Sequence, residues 1–399
     1  MKFRKVLSLL FFVAAMPLMA EEINPESIRI EMGPYLQAVG ENEFTVCWKT
    51  NMPSVGWIEV APDDGTHFYQ CERPKYHDAR FGRRRVGEFH KVTIKGLEPG
   101  KTYRYRVMQN SVLLDEGRKR MLYGEGYGSD ILKHKPYQVT TLDPQKKSVK
   151  FAVGNDFHEH DGMFRDAFAN ARKKGYDFVL LNGDMTTSIE SEKDIFDNYL
   201  KSACELFASD IPFYMARGNH ENRGKYAINY MDYYPSLSGR PYYAFRQGPV
   251  FFLVLDGGED KPDNDIRNLD IMVSDQFRAE EVEWLKDVLA SKEYKEAPVK
   301  IAFLHMPPNP TKSGWYGVNQ LSKLFTPLLN EAGIDLMISG HTHKYAWIPA
   351  GDKYENDFPI LVNDDKVLME GEVTPEAIIL TTYDEKQNVA NRHEIKRKR

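Results

Sequence analysis

The chain has 399 residues, 42% of them hydrophobic and 28% charged, a composition that excludes a disordered chain and a length that predicts two domains. Its formal charge of −5 becomes −8 once a basic N-terminal leader is removed, and so acidic a surface argues against nucleic acid as the main partner.

Met1–Ala20 reads as a signal peptide, with Lys2, Arg4 and Lys5 ahead of an apolar stretch from Val6 to Ala15 and Leu18-Met19-Ala20 before Glu21. This predicts an exported protein, periplasmic or secreted. The apolar stretch is too short to span a bilayer, and no second run is long enough for a transmembrane segment. Export permits disulfides, so Cys47 and Cys71 are a possible pair, with free thiols the favoured alternative. Cys204 falls on a predicted helix, where it packs.

Residues 21–143 show short alternating strands. Phe44, Val46 and Trp48 share one face, Val92 and Ile94 another, and Tyr103, Tyr105 and Val107 a third after a turn at Pro99-Gly100. This resembles a fibronectin type III sandwich, with Leu97, Pro99, Gly100 and Tyr103 placed as in that fold's tyrosine corner. Arg80, Arg83, Arg84 and Arg85 form a basic cluster inside it, read as a solvated loop or, less favoured, a contact for an anionic substrate or surface. Asp143–Ser148 is the candidate linker.

From 149 to 395 strands alternate with helices, as in α/β folds. Asp161 is a candidate cap for a helix carrying Phe164, Ala167, Phe168 and Ala171, and Glu280–Leu289 is an amphipathic helix. Five apolar strands end in polar residues: Asp156-Phe-His158, Gly183-Asp184, Asn219-His220, His305 and Gly340-His-Thr-His343. The third tip, Gly218-Asn-His-Glu221, uses a glycine suited to a tight turn because it leaves φ free. Five such tips in one sheet gain nothing from packing, and converging buried polar groups need partners. A pair of metal ions supplies those partners, and imidazole, carboxylate and amide donors without thiolate suit Zn, Mn or Fe.

These five motifs in this order resemble the calcineurin-like metallophosphoesterase superfamily, and the preceding sandwich resembles the N-terminal domain of purple acid phosphatases. The resemblance implies a four-layer α/β/β/α fold of two packed mixed sheets. It also implies that Asp156, His158 and His343 hold one metal, that Asn219, His305 and His341 hold the other, and that Asp184 bridges both. His220 would be the catalytic residue beside the substrate, protonating the leaving oxygen or steadying the transition state. The implied activity is a phosphohydrolase cleaving small phosphomonoesters by attack of a metal-bridging hydroxide. The alternatives are a phosphodiesterase or nucleotidase of the same superfamily, or a surface binding protein that keeps the metal site for structure.

Two departures stand out. Asn155 intervenes between Gly154 and Asp156, which predicts a shifted turn with the ligands preserved. The tyrosine that purple acid phosphatases carry three residues after the bridging aspartate is here Thr187, which predicts no phenolate-to-iron colour. Around the site, Arg223 is a candidate for bidentate phosphate binding or for pairing with a surface carboxylate. His160 is a substrate-site candidate or a solvated helix-start residue. Trp315, Tyr316, Tyr345 and Trp347 are read as stacking on a leaving group or as core.

Overall fold

The computed structural model describes residues 27–309, 314–351 and 355–396; the predicted signal peptide and most of the basic C-terminal tail lie outside them. The N-terminal part is a β-sandwich built around one 20-residue strand, Glu43–Pro62. Its first half pairs antiparallel with Ile30–Gln37 and Gly87–Lys95, and its register breaks between Lys49 and Ser54. Beyond the break it pairs with Thr102–Asp115 and Lys75–His77. The strand therefore passes from one layer to the other, and the residues expected to face inward do so: Phe44, Val46 and Trp48 pack with Ile58, Val92, Ile94, Tyr105 and Val107.

The tyrosine corner forms, since Tyr103 Oη accepts the Glu98 N–H at 3.0 Å. At the bend of the long strand, His90 Nε2 lies 2.7 Å from Ser54 Oγ and its Nδ1 lies 3.0 Å from Asp78 Oδ2. All three side chains are buried, so this row is a satisfied polar network inside the sandwich, closed to any substrate. The cysteines are free, Cys47 and Cys204 in the core and Cys71 exposed.

Two six-stranded sheets make up the rest. The first runs Phe213–Met215, Phe178–Leu181, Val149–Gly154, Leu368–Val373, Ala377–Tyr383, Val389–Lys396. The second runs Tyr243–Gln247, Val250–Leu255, Val299–Leu304, Leu336–Ser339, Ile360–Val362, Ala346–Ile348. Both mix parallel and antiparallel neighbours. Their inner faces meet through aromatic side chains; Phe151 stacks on Phe178 at 5.3 Å and meets Phe252 edge-on at 5.6 Å.

The outer face of the first sheet is covered by the helix Asp161–Phe168 and the helical run Glu192–Ala208. That of the second is covered by Ser274–Ala290, Tyr316–Leu324 and Thr326–Ala332. The order α/β/β/α is the one expected. Asp161, however, is the first residue of its helix and gives it no side-chain cap; its carboxylate accepts from Arg165 Nε at 2.9 Å instead.

The five tips do not belong to one sheet. Three end strands of the first sheet and two end strands of the second, because apolar runs bounded by turns do not reveal which sheet a strand joins. The sandwich docks on the edge of the first sheet. Gln37 Nε2 donates to Phe213 O at 2.9 Å, Tyr214 Oη to Val39 O at 2.7 Å, and Tyr105 Oη to Ser209 O at 2.6 Å. Met32, Tyr35 and Cys47 share a core with Phe207, Phe213 and Tyr234.

Candidate metal centre

Three of the five tips leave their strands through a tight, left-handed backbone. Asp156 (φ 54°), His158 (43°), Asp184 (53°), His341 (69°) and His343 (52°) all have positive φ, a conformation that costs a non-glycine residue free energy and that gathers at functional sites. Gly218 has no positive φ, so its backbone freedom is not what the site uses. Its lack of a side chain is: a Cβ there would run into Asp184 Oδ1, and one on Gly183 would lie 2.5 Å from His305 Nδ1.

The tips converge. His305 Nε2 is 3.1 Å from Asp184 Oδ2 and 3.9 Å from Asp156 Oδ1. His343 Nε2 is 3.2 Å from Asp156 Oδ1 and 3.1 Å from His158 Nε2, which lies 4.0 Å from Asp184 Oδ2. Two sets of donor atoms, Asp156/His158/His343 and Asp184/His305/His341, each lie within 4.8 Å of one another, the spacing of a metal cage. A third such set, His158/Asp184/His220, overlaps the first two.

Most of these atoms are aimed by bonds on their far sides. Asp156 Oδ2 accepts from Asn155 Nδ2 at 2.7 Å and from the His341 N–H at 2.9 Å, which leaves Oδ1 for the centre. His305 Nδ1 donates to Asn182 O at 2.7 Å, leaving Nε2. Four buried atoms then have no partner in the protein: Asp156 Oδ1, Asn219 Oδ1, His305 Nε2 and His341 Nε2. Buried polar atoms are ordinarily satisfied, so four orphans on neighbouring strand tips, all oxygen or nitrogen, fit a pair of hard-to-borderline metal ions. The residues are positioned for a dimetal site.

Electrostatics agree. Burial alone would depress the His305 imidazole, but Asp184 and Asp156 beside it push it up to about 10. Burial would raise Asp184, yet the charge on His305 beside it, with the His220 N–H at 2.9 Å, holds its carboxyl far below the usual carboxylate range. His341 is depressed to about 3 by burial and then by the charge on His305.

The remaining candidates divide. His220 stands beside the cluster, its Nδ1 donating to Thr187 O at 2.8 Å and its Nε2 3.9 Å from Asp184 Oδ2. Arg223 spends Nε and Nη2 on the buried Glu259 carboxylate, both at 2.9 Å, with Asp260 Oδ1 at 3.2 Å. The carboxylate it pairs with is therefore buried, and the fork has no free edge for a bidentate phosphate. Only Nη1 is left, 2.8 Å from His220 Nε2.

His160 is exposed and bonds back to the carbonyls of Phe157 and His158 in its own turn. Of the four aromatics, Trp315 lines the cavity, its ring edge-on to His341 at 4.2 Å. Tyr345 and Trp347 pair with His393, and Tyr316 Oη donates to Asp275.

Sequence reading assigned no role to Glu221, Asn155, Glu259, Lys261 or Arg267, all of which shape the site or its cavity of about 460 Å³. Glu221 stood inside a motif already noticed; Glu259 and Lys261 stand in a loop with no periodic signal.

Two facing sheets with a dimetal cage at their strand ends define the metallophosphoesterase class. Residues 149–345 match the calcineurin-like phosphoesterase family and residues 32–119 the purple acid phosphatase N-terminal domain, so the chain carries a domain of that family behind that N-terminal domain. Purple acid phosphatase 18 of Arabidopsis thaliana is 23% identical over 347 residues, 80% of this chain and 65% of that protein. Probable purple acid phosphatase 20 of the same plant is 22% identical over 239 residues, 55% of this chain and 52% of that protein. The chain thus spans between half and two thirds of the length of these relatives. Among solved structures, a purple acid phosphatase from yellow lupin (Lupinus luteus) seeds shares the fold at a TM-score of 0.61 and 15% identity, covering 91% of this chain and 74% of that one.

Proposed function

We propose that the protein is an exported, metal-dependent phosphohydrolase that cleaves small phosphomonoesters. The observation that carries this reading is the set of four unpartnered buried donor atoms beside His158, Asp184 and His343. Asp156, His158 and His343 would hold one ion and Asn219, His305 and His341 the other, with Asp184 placed to serve both. When bound, two such ions supply positive charge for the phosphoryl oxygens and a nucleophile at neutral pH; zinc, manganese and iron all suit the donors.

The chain's own residues do the rest. The bond from His220 Nδ1–H to Thr187 O fixes the imidazole so that Nε2 faces the cavity. Once Arg223 has left Nε2 and that nitrogen has taken a proton from solvent, the imidazolium delivers it to the departing alcohol oxygen and returns to the neutral ring. Arg223 Nη1, held by Glu259 behind it, moves from His220 Nε2 to a phosphoryl oxygen as substrate binds, a single contact that frees the acid for its task. Trp315 lines one side of the cavity.

Metal analysis of the purified protein with a panel of esters tests this. An aryl phosphate is hydrolysed, and Asp184→Asn removes both bound metal and turnover. His220→Ala lowers kcat by roughly 10²–10⁴-fold for alkyl phosphates, with a smaller loss when the leaving group is an acidic phenol. Faster turnover of bis-esters would make the protein a phosphodiesterase; a metal-loaded protein inert to both classes would overturn the reading.

A further inference from the structure

The basic cluster of the sandwich has no part in this chemistry, and its shape is unusual. Ala79–Arg80 and Arg83–Arg84 pair as a two-residue hairpin whose loop, Phe81-Gly82, has positive φ at both positions (51° and 81°). That is a type I′ turn, in which asparagine or glycine is ordinarily found and phenylalanine is strained. The phenyl ring gains no packing in return. It is 95% exposed, the most exposed large apolar side chain among the described residues.

Around it stand Arg80, whose guanidinium carbon lies 5.1 Å from the ring centroid, and Arg83, Arg84 and Arg85. Among the described residues no carboxylate lies within ion-pairing distance of any of the four; the one side-chain partner is His77, whose Nε2 is 3.1 Å from Arg84 Nη2. On a chain with a net negative charge, four guanidiniums without a carboxylate partner at one tip are a local inversion of sign.

The hairpin is also firmly rooted. The Arg85 N–H donates to Asp78 O at 2.8 Å, the Asp78 N–H donates to Gly56 O at 3.0 Å, and Asp78 closes the buried His90–Ser54 row. A rigid base presenting a strained aromatic between cations is a device for contact, and its chemistry selects the partner. A convex tip with one apolar side chain cannot bury the area that a specific protein interface needs. It can enter a deformable interface, with the ring among acyl chains and the guanidiniums among phosphates.

We propose that the Arg80–Arg85 hairpin is a docking tip for an anionic phospholipid surface, with Phe81 as the inserted side chain and the four arginines as headgroup contacts.

The test is co-sedimentation of the chain from Glu21 onward with vesicles of phosphatidylcholine alone or mixed with phosphatidylglycerol. This chain contains every described residue and omits the apolar leader, which would bind lipid by itself. Binding is expected to the anionic vesicles only, and to weaken as salt rises. Arg83→Ser with Arg84→Ser should weaken partitioning about 25-fold, at about 5-fold per cation. Phe81→Asn, which suits the turn, should weaken it about 10-fold by removing the ring. Melting temperatures no lower than the parent's for both variants confirm that the fold is kept. Equal binding to neutral vesicles, no binding to anionic ones, or variants that bind like the parent would each overturn the proposal. So would polyglutamate bound as tightly as the vesicles and indifferent to Phe81→Asn, which would make the tip a site for acidic polypeptides.

Discussion

Glu221 accepts backbone N–H groups from Gly218, Asp184 and Met185 at 2.7–2.9 Å, so one buried carboxylate ties the third strand tip to the second. Burial and the neighbouring Asp184 charge raise its pKa, while the N–H groups around it pull the other way. Glu221→Gln would turn an amide NH₂ toward backbone donors. A loss of roughly 2–4 kcal/mol is expected from breaking charge-assisted bonds and leaving donors unsatisfied, read as a lower melting temperature of the metal-free protein. Metal affinity should fall with it, since Asp184 is then no longer held against Gly218.

Colour is a second consequence at this scale. Thr187 offers His220 a carbonyl where a purple enzyme would offer its iron a phenolate, and no tyrosine lines the cavity among the described residues. Iron-loaded protein should therefore hydrolyse esters without a visible charge-transfer band, as an absorbance spectrum of the ferric form would show.

At the scale of elements, what was legible in the sequence was whatever a strand writes into its own local pattern. The alternation of Phe44, Val46 and Trp48, the apolar runs at Phe178 and Val299, and the polar residues that end them are each contained in a few consecutive positions. Partition of the tips between two sheets was not, because it depends on pairings such as Val149–Gly154 with Leu368–Val373, over two hundred residues away. Arg223 shows the same limit at the site: its neighbours in sequence suggest a surface, and only the fold brings Glu259 behind it.

Docking of the sandwich was equally invisible, and it yields a prediction. Tyr214 reaches from the edge strand into the sandwich to bond Val39 O. Tyr214→Phe should cost roughly 1–2 kcal/mol by orphaning that buried carbonyl. The whole molecule should lose stability rather than one half, so fluorescence from the sandwich tryptophans and loss of activity should shift together on heating.

For the whole molecule, the cage joins strand ends from both sheets, so metal loading is also a folding interaction. Ions at about 100 times their Kd add about 2.7 kcal/mol per independent site. At about 2.1 cal/mol/K of unfolding entropy per residue, a chain of this length shifts by only about 1 °C per kcal/mol, so the melting temperature should rise by roughly 3 °C for each site filled. Calorimetry with and without chelator measures it, and an unchanged transition would mean that the orphaned donors hold nothing.

The strand Phe213–Met215 leads into Asn219 and His220, and its outer rim is closed by residues of a different fold. The front module thus stands in for the neighbour that this sheet lacks, and the two cannot be traded independently. A chimaera that swaps in an unrelated β-module should come out of the cell aggregated, or with the Asn219 tip displaced and metal affinity lowered, unless it also brings a glutamine and a carbonyl to the places of Gln37 and Val39. Inheritance would then favour keeping the pair together even where the front half binds nothing itself.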